Sequence, residues 1–137
     1  MDWKECCGKR IAKDVKPDRS LIESLVKSSE NKLKSESRLA MSDVTASSKL
    51  SLAYDSLREL LEALALKHGF KIYNHECYGA FLKEVIGESN KGDEFDEVRV
   101  TRNAVNYYGK AIDPEESHEM IDRIKSLRLF VSGLLKR

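Results

Sequence analysis

Leu50-Ser51-Leu52-Ala53-Tyr54-Asp55-Ser56-Leu57-Arg58-Glu59-Leu60-Leu61-Glu62-Ala63-Leu64 decides how the rest of the chain is read. Leu50, Ala53, Tyr54, Leu57, Leu60, Leu61 and Leu64 recur at the i, i+3, i+4, i+7 spacing of one helical face, which predicts a long amphipathic helix with Tyr54 in the core. His68-Gly69 closes it, because glycine suits the left-handed position after a helix end. Arg58, beside the leucines, reads most simply as a side chain that lays its stem on the stripe and keeps its charge in water.

The flanking sequence repeats the pattern. Before the leucine-rich stretch, Leu21, Ile22, Leu25, Val26 and Leu33 mark a helix from about Asp18 to the Arg38 region, and Ser20-x-x-Glu23 has the spacing of a capping box. Ser42 to Ser48 suits a turn. Phe70 to Asn74 reads as an aromatic connector, and Tyr78, Phe81, Leu82, Val85 and Ile86 as a third helix capped by Asn74 and stopped at Gly87. Glu88 to Asp93 has loop composition. A further helix is expected from about Asp93 to Lys110, and Asp113-Pro114-Glu115-Glu116 places a cap, a first-position proline and two acids at the start of the last one. Met120, Ile124, Leu127, Val131 and Leu134 are its expected buried stripe. The short connections favour an all-α, up-and-down bundle of four to five antiparallel helices. Residues 18–137 are expected to form this single domain, after an N-terminal arm over 1–17 that is loosely docked or disordered.

With 137 residues the chain can bury a core of its own, and a net charge of +1 argues neither for nor against a nucleic-acid partner. Three cysteines cannot all pair within the chain. Cys6 and Cys7 therefore read as ordinary thiols, and a reducing cytoplasm is the expected setting. No apolar run of membrane-spanning length or signal-peptide pattern is seen, so no membrane partner is expected. Gly-rich phosphate loops, a Gly-x-Ser-x-Gly elbow and a His-Glu-x-x-His helix are all missing, which disfavours those enzyme classes. His75-x-Cys77 with Cys6, Cys7 and His68 lacks the paired spacing of a zinc site, so no metal and no cofactor are expected.

The chemistry concentrates in Arg99-Val100-Thr101-Arg102-Asn103-Ala104-Val105-Asn106-Tyr107-Tyr108-Gly109. As a helix it puts Val98, Thr101, Ala104, Val105 and Tyr108 on one side and Arg99, Arg102, Asn103, Asn106 and Lys110 on the other. Two guanidinium groups and two carboxamides within a turn of each other suit a phosphate and a base or sugar edge. The competing reading is a solvated stripe whose arginines answer acidic neighbours such as Asp96 and Glu97.

Leu52 to Ala63, a glycine after that helix, then His75, then Arg102-Asn103 and Asn106-Tyr107-Tyr108-Gly109 together resemble the HEPN superfamily, small helical bundles of higher eukaryotes and prokaryotes that bind nucleotides. The resemblance covers roughly residues 48–137. It implies a bundle that is often a homodimer, and a metal-independent ribonuclease or the partner of a nucleotidyltransferase in a toxin–antitoxin or defence system. The family motif is an arginine, a polar residue directly after it and a histidine about five positions on. Arg102 matches the arginine and Asn103 the polar residue, but the histidine position holds Tyr107. An imidazole near pKa 6.5 exchanges protons at neutral pH, whereas a phenol near 10 holds its proton.

The expectation is therefore an RNA- or nucleotide-binding module that uses Arg99, Arg102, Asn103, Asn106, Tyr107 and Lys110 and lacks the family's histidine chemistry. One alternative is a metal-independent endoribonuclease in which Arg102 and Tyr107, or a histidine from elsewhere, are catalytic. The other is a structural interaction protein whose polar stripe is a dimer seam.

Overall fold

The computed structural model describes residues 1–137. Six α-helices and a two-stranded antiparallel ribbon follow one another as α1 (Trp3–Gly8), β1 (Ala12–Asp14), α2 (Arg19–Arg38), α3 (Ala46–Lys67), β2 (Phe70–Ile72), α4 (Glu76–Ala80), α5 (Ser89–Tyr107) and α6 (Pro114–Leu135). A π-helical turn, Phe81–Val85, continues α4. The fold is an all-α helical bundle, and the short α1 is the one helix that the sequence did not lead us to expect.

The leucine-rich helix α3 is its centre. Ala46, Leu50, Ala53, Tyr54, Leu57, Leu60, Leu61 and Leu64 are all buried, and so are Ser56, Glu59, Ala63 and Leu66 on the faces the periodicity left open. The helix is thus walled on most of its circumference, by α2, α6 and α5. Ser29 of α2 and Ser56 of α3 let their helices approach closely: the Ser29 hydroxyl donates to the Ser56 carbonyl at 2.5 Å. Buried charge is paired across the same contact. Lys49 lies 2.9 Å from the Glu36 carboxylate and donates to the Glu36 and Leu39 carbonyls at 2.7 and 2.6 Å, so it caps the C-terminal end of α2. At the far end of α3, Lys67 donates to the last carbonyls of α6, those of Leu134 and Leu135, at 3.2 and 3.1 Å.

Local signals set most boundaries. Asp113 accepts from the Glu116 amide at 2.8 Å with Pro114 in the first turn, as its sequence dictates. Gly69 (φ 88°) and Gly87 (φ 81°) take the left-handed conformation after their helices. The cap of α2 is Asp18, which accepts from the Leu21 amide at 3.1 Å, not Ser20 of the expected capping box. The side chain of Asn74 accepts from the Glu76 amide at 2.8 Å and so opens α4 as expected.

Two expectations are corrected by tertiary packing. Residues 88–93, with the composition of a loop, supply the cap (Glu88) and the start of α5 (from Ser89) instead. Gly92 is needed there because α4 and α5 cross almost backbone to backbone: a Cβ on Gly92 would lie 2.8 Å from the Gly79 carbonyl and overlap Lys83. Gly79 in turn faces Asp96. Gly92→Ala is expected to destabilise the fold by about 1–3 kcal/mol through overpacking, read as a fall in Tm.

Residues 1–17 likewise are not a frayed arm. Cys6 and Cys77 form a disulfide and are both fully buried, Trp3 stands edge-on to Phe70 with ring centres 5.1 Å apart, and Ala12 pairs with Ile72 in the ribbon. Phe70–Ile72 is thus a strand rather than a bare connector. Only Cys7 is a free thiol. A buried disulfide runs against the expectation of ordinary thiols in a reducing setting, since such bonds persist where the surroundings are oxidising.

Candidate anion-binding site

The stripe of α5 that meets α3 is Phe95, Val98 and Arg102, three and four residues apart and all buried. Arg102 therefore belongs to the inward face, and Tyr108, expected inside, is 83 % exposed. The face expected from the sequence is about a quarter of a turn off, because Tyr108 counts there as apolar and Arg102 as polar. An arginine is tolerated in the stripe because an aromatic ring receives it. Its guanidinium carbon is 4.8 Å from the centre of the Tyr54 ring and 5.2 Å from that of Tyr107.

The polar contacts of Arg102 are loose on one side and firm on the other. Nη1 donates to the Tyr107 hydroxyl at 2.9 Å and reaches Asn103 Oδ1 at 3.5 Å. Nη2 is 3.6 Å from Asp55 Oδ1, and the buried Nε has no hydrogen-bond partner. Arg99, one turn earlier, has a similar arrangement: its Nε is buried without a hydrogen bond, 3.6 Å from Asp96. Each guanidinium keeps unused donors beside a carboxylate that neutralises but does not saturate it.

His75, at the start of α4, completes the group. Its Nδ1 shares a 3.1 Å hydrogen bond with the Tyr54 hydroxyl, and its ring centre is 5.8 Å from that of Tyr54. Burial first, then the positive charges of Arg58 and Arg102, hold the imidazole below its ordinary pKa; Asp55 opposes them and Arg99 adds to them. Burial likewise pushes the Tyr54 phenol well above its ordinary value, so it keeps its proton. His75 thus binds a proton less tightly in the folded chain than in the unfolded one. Stability is complete above the unfolded histidine value, near pH 6.5, and falls as the pH drops below it. His75→Gln is expected to flatten the loss of Tm between about pH 7.5 and pH 5, which thermal melts of both proteins at the two pH values would show.

Of the residues picked from the sequence, Arg99, Arg102, Asn103 and Tyr107 are brought together. Asn106 lies beside them: its Oδ1 accepts from Ser51 at 3.0 Å, and its amide nitrogen is left to donate. Lys110, past the helix end, is exposed with no side-chain partner and stands apart from the cluster. The sequence reading did not select Tyr54, Asp55 or His75 for the site. Tyr54 and Asp55 sit one turn before Arg58 on α3, and only the packing of α3 on α5 reveals them. His75 is carried in by the β2–α4 connection.

Tyr107 and Asn106 are exposed, whereas Tyr54 and Arg102 are buried. None of the five surface clefts is lined by Arg102, His75 or Tyr107; the nearest on α5, bounded by Asp96, Glu97, Val100, Thr101, Met120 and Arg123, opens toward α6. No three His, Cys, Asp or Glu side chains converge as metal ligands, and Cys6 and Cys77 are bonded to each other. No helix is long and apolar enough to cross a membrane. Comparison of the chain with family models, with curated proteins and with solved structures found no match in any of the three.

Proposed function

We propose that this chain is a HEPN-type module that binds RNA or a nucleotide through its phosphates at the Arg99–Arg102 surface. One observation carries the reading: two half-buried or buried arginines on one helix face keep Nε donors without a hydrogen bond, and the inner one rests on two aromatic rings with a single short hydrogen bond, to the Tyr107 hydroxyl. The Nε atoms themselves are buried, so a phosphate would reach Arg102 through its Nη groups, taking the place of Asp55 at 3.6 Å with a charge-assisted bond of about 2.8 Å. Asn103 and Asn106 flank them as donors to a sugar or base edge, and Lys110 adds long-range charge. A second copy or a nucleotidyltransferase as protein partner belongs to the same proposal and rests on the family resemblance alone. Titration of wild type and Arg102→Ala protein with short single-stranded RNA tests the reading, which fails if the two bind alike.

A second reading, metal-independent cleavage of RNA, is favoured by His75. In the tautomer whose Nδ1–H donates to the Tyr54 oxygen, Nε2 is left to take the proton of a ribose 2′-hydroxyl as that oxygen attacks the adjacent phosphorus and the 5′-oxygen of the next nucleotide departs, taking a proton from water and leaving a 2′,3′-cyclic phosphate, the role that Tyr107 leaves open. Cleavage in EDTA that is lost in both Arg102→Ala and His75→Gln would establish it.

A further inference from the structure

We infer that the groove between α2 and α6 is a separate anion site, built around Arg128 to take a doubly charged phosphate group, either inorganic phosphate or the phosphomonoester of a small molecule. No residue of α5 lines it, and it stands independently of the reading above. Glu30, Leu33, Lys34 and Ser37 of α2 face Lys125 and Arg128 of α6 across a cleft of about 260 Å³. That is below the roughly 300–1,000 Å³ of sites for drug-sized ligands, so it suits a single charged group.

Arg128 is the exception among the guanidinium groups. Of the five arginines that the fold buries or half-buries, Arg58, Arg99, Arg102 and Arg123 each have a carboxylate partner, in Glu62, Asp96, Asp55 and Glu97, and Arg128 has none. A charge drawn partly out of water without a counterion is costly, which is why such charges are found paired. The side chain is nevertheless held in place. Nη2 donates to the Ser29 hydroxyl at 2.9 Å, and that hydroxyl gives its own proton to the Ser56 carbonyl, so a buried neutral group fixes the guanidinium and leaves its charge uncompensated. Nε is buried without a hydrogen bond, whereas Nη1 makes none and is not buried, so Nη1 is the donor that a ligand reaches. Burial holds the guanidinium below its ordinary pKa, and Glu30 pulls the other way.

The neighbours add charge of the same sign. Lys125, three residues earlier on α6, is 3.9 Å from Glu36, but that carboxylate is already paired with the buried Lys49 at 2.9 Å. Lys34, across the cleft, is exposed and forms no salt bridge. Three cations thus line the cleft against one carboxylate, Glu30, an excess that a dianion balances and a singly charged phosphodiester does not. A planar guanidinium beside two ammonium groups is a donor set for phosphate oxygens.

Calorimetric titration at about pH 8, where a phosphate monoester carries close to two charges, measures binding of inorganic phosphate, methyl phosphate and dimethyl phosphate at fixed ionic strength. The host is the full chain carrying Arg102→Ala, so that phosphate taken up at α5 is not counted, and wild type is run beside it. Arg128→Gln in this host is expected to weaken phosphate about 10- to 150-fold, the equivalent of a lost charge-assisted hydrogen bond. Lys34→Gln should weaken it less, and Glu30→Gln should tighten it, because the one opposing charge is gone. Methyl phosphate binding like phosphate identifies a phosphomonoester, and phosphate binding alone the free ion; both uphold the site. Dimethyl phosphate binding as tightly as methyl phosphate overturns the dianion. Phosphate that does not bind, or that binds Arg128→Gln as it binds the host, overturns the site itself. Lys34 and Glu30 are exposed, so their opposite shifts decide the matter even where Arg128→Gln fails to fold, and unchanged affinity in both overturns the inference. None of these outcomes bears on RNA binding at α5.

Discussion

Unfolding of the Cys6→Ala/Cys77→Ala protein in urea is expected to give a stability about 4 kcal/mol below that of the oxidised wild type. The bond joins residues 71 apart, and closing a loop of that size removes much of the freedom of the unfolded chain. Deleting two buried sulfurs also leaves small cavities, which add to the loss. The change should appear mainly in the midpoint, with a somewhat steeper dependence on urea as the uncrosslinked chain exposes more surface. Both sulfurs are buried, so a mild reductant should act on the wild type only as it unfolds. If the variant matched the oxidised protein in midpoint and slope, the docking of α1 and β1 would have to be carried by Trp3 and the ribbon alone.

Arg102→Ala is expected to weaken binding of single-stranded RNA by about 1.5–3 kcal/mol, or roughly 10- to 150-fold, the range for a lost charge-assisted hydrogen bond. Lys110→Ala should cost less, because that side chain stands outside the cluster and acts only through its charge. Arg102→Lys should not restore affinity: an ammonium makes a poorer stack on Tyr54 and has no planar fork. The same tubes, run on a gel with EDTA present, separate binding from cleavage. Uncleaved RNA throughout leaves His75 as a neighbour of the site rather than its base. The fold should tolerate the change with a modest fall in Tm, since Asp55 is partly exposed and returns to water when its partner is removed.

How much of this was legible in the sequence depends on whether the deciding interaction was local. Leu50 to Leu64 and Asp113-Pro114 carry their instructions within one or two turns, and α3 and α6 form where those residues place them. Ser89 to Gly92 do not: their composition favours a loop, and helix wins because α4 offers a crossing that only glycine fits. Cys6 cannot be paired with Cys77 rather than left beside Cys7 until the ribbon brings residues 12 and 72 together. On α5 the residues were legible and their direction was not. Arg102 and Asn103 were selected by type, but whether Arg102 faced water or Tyr54 depended on a ring contributed by another helix. His75 was invisible to spacing for the same reason.

Lys49 and Lys67 stand eighteen residues apart on α3, about 27 Å along its axis, and each ties down the tail of a different neighbour. The helix therefore acts as a gauge that sets how far α2 and α6 are offset from each other. A single inserted or deleted residue between the two lysines would shift one of them by about 1.5 Å and swing it by about 100°, taking it off its carbonyls while the other stayed engaged. Drift in length is thus barred from α3, and the chain must take up any such change in the turns that α3 does not measure, such as the one at Ser42.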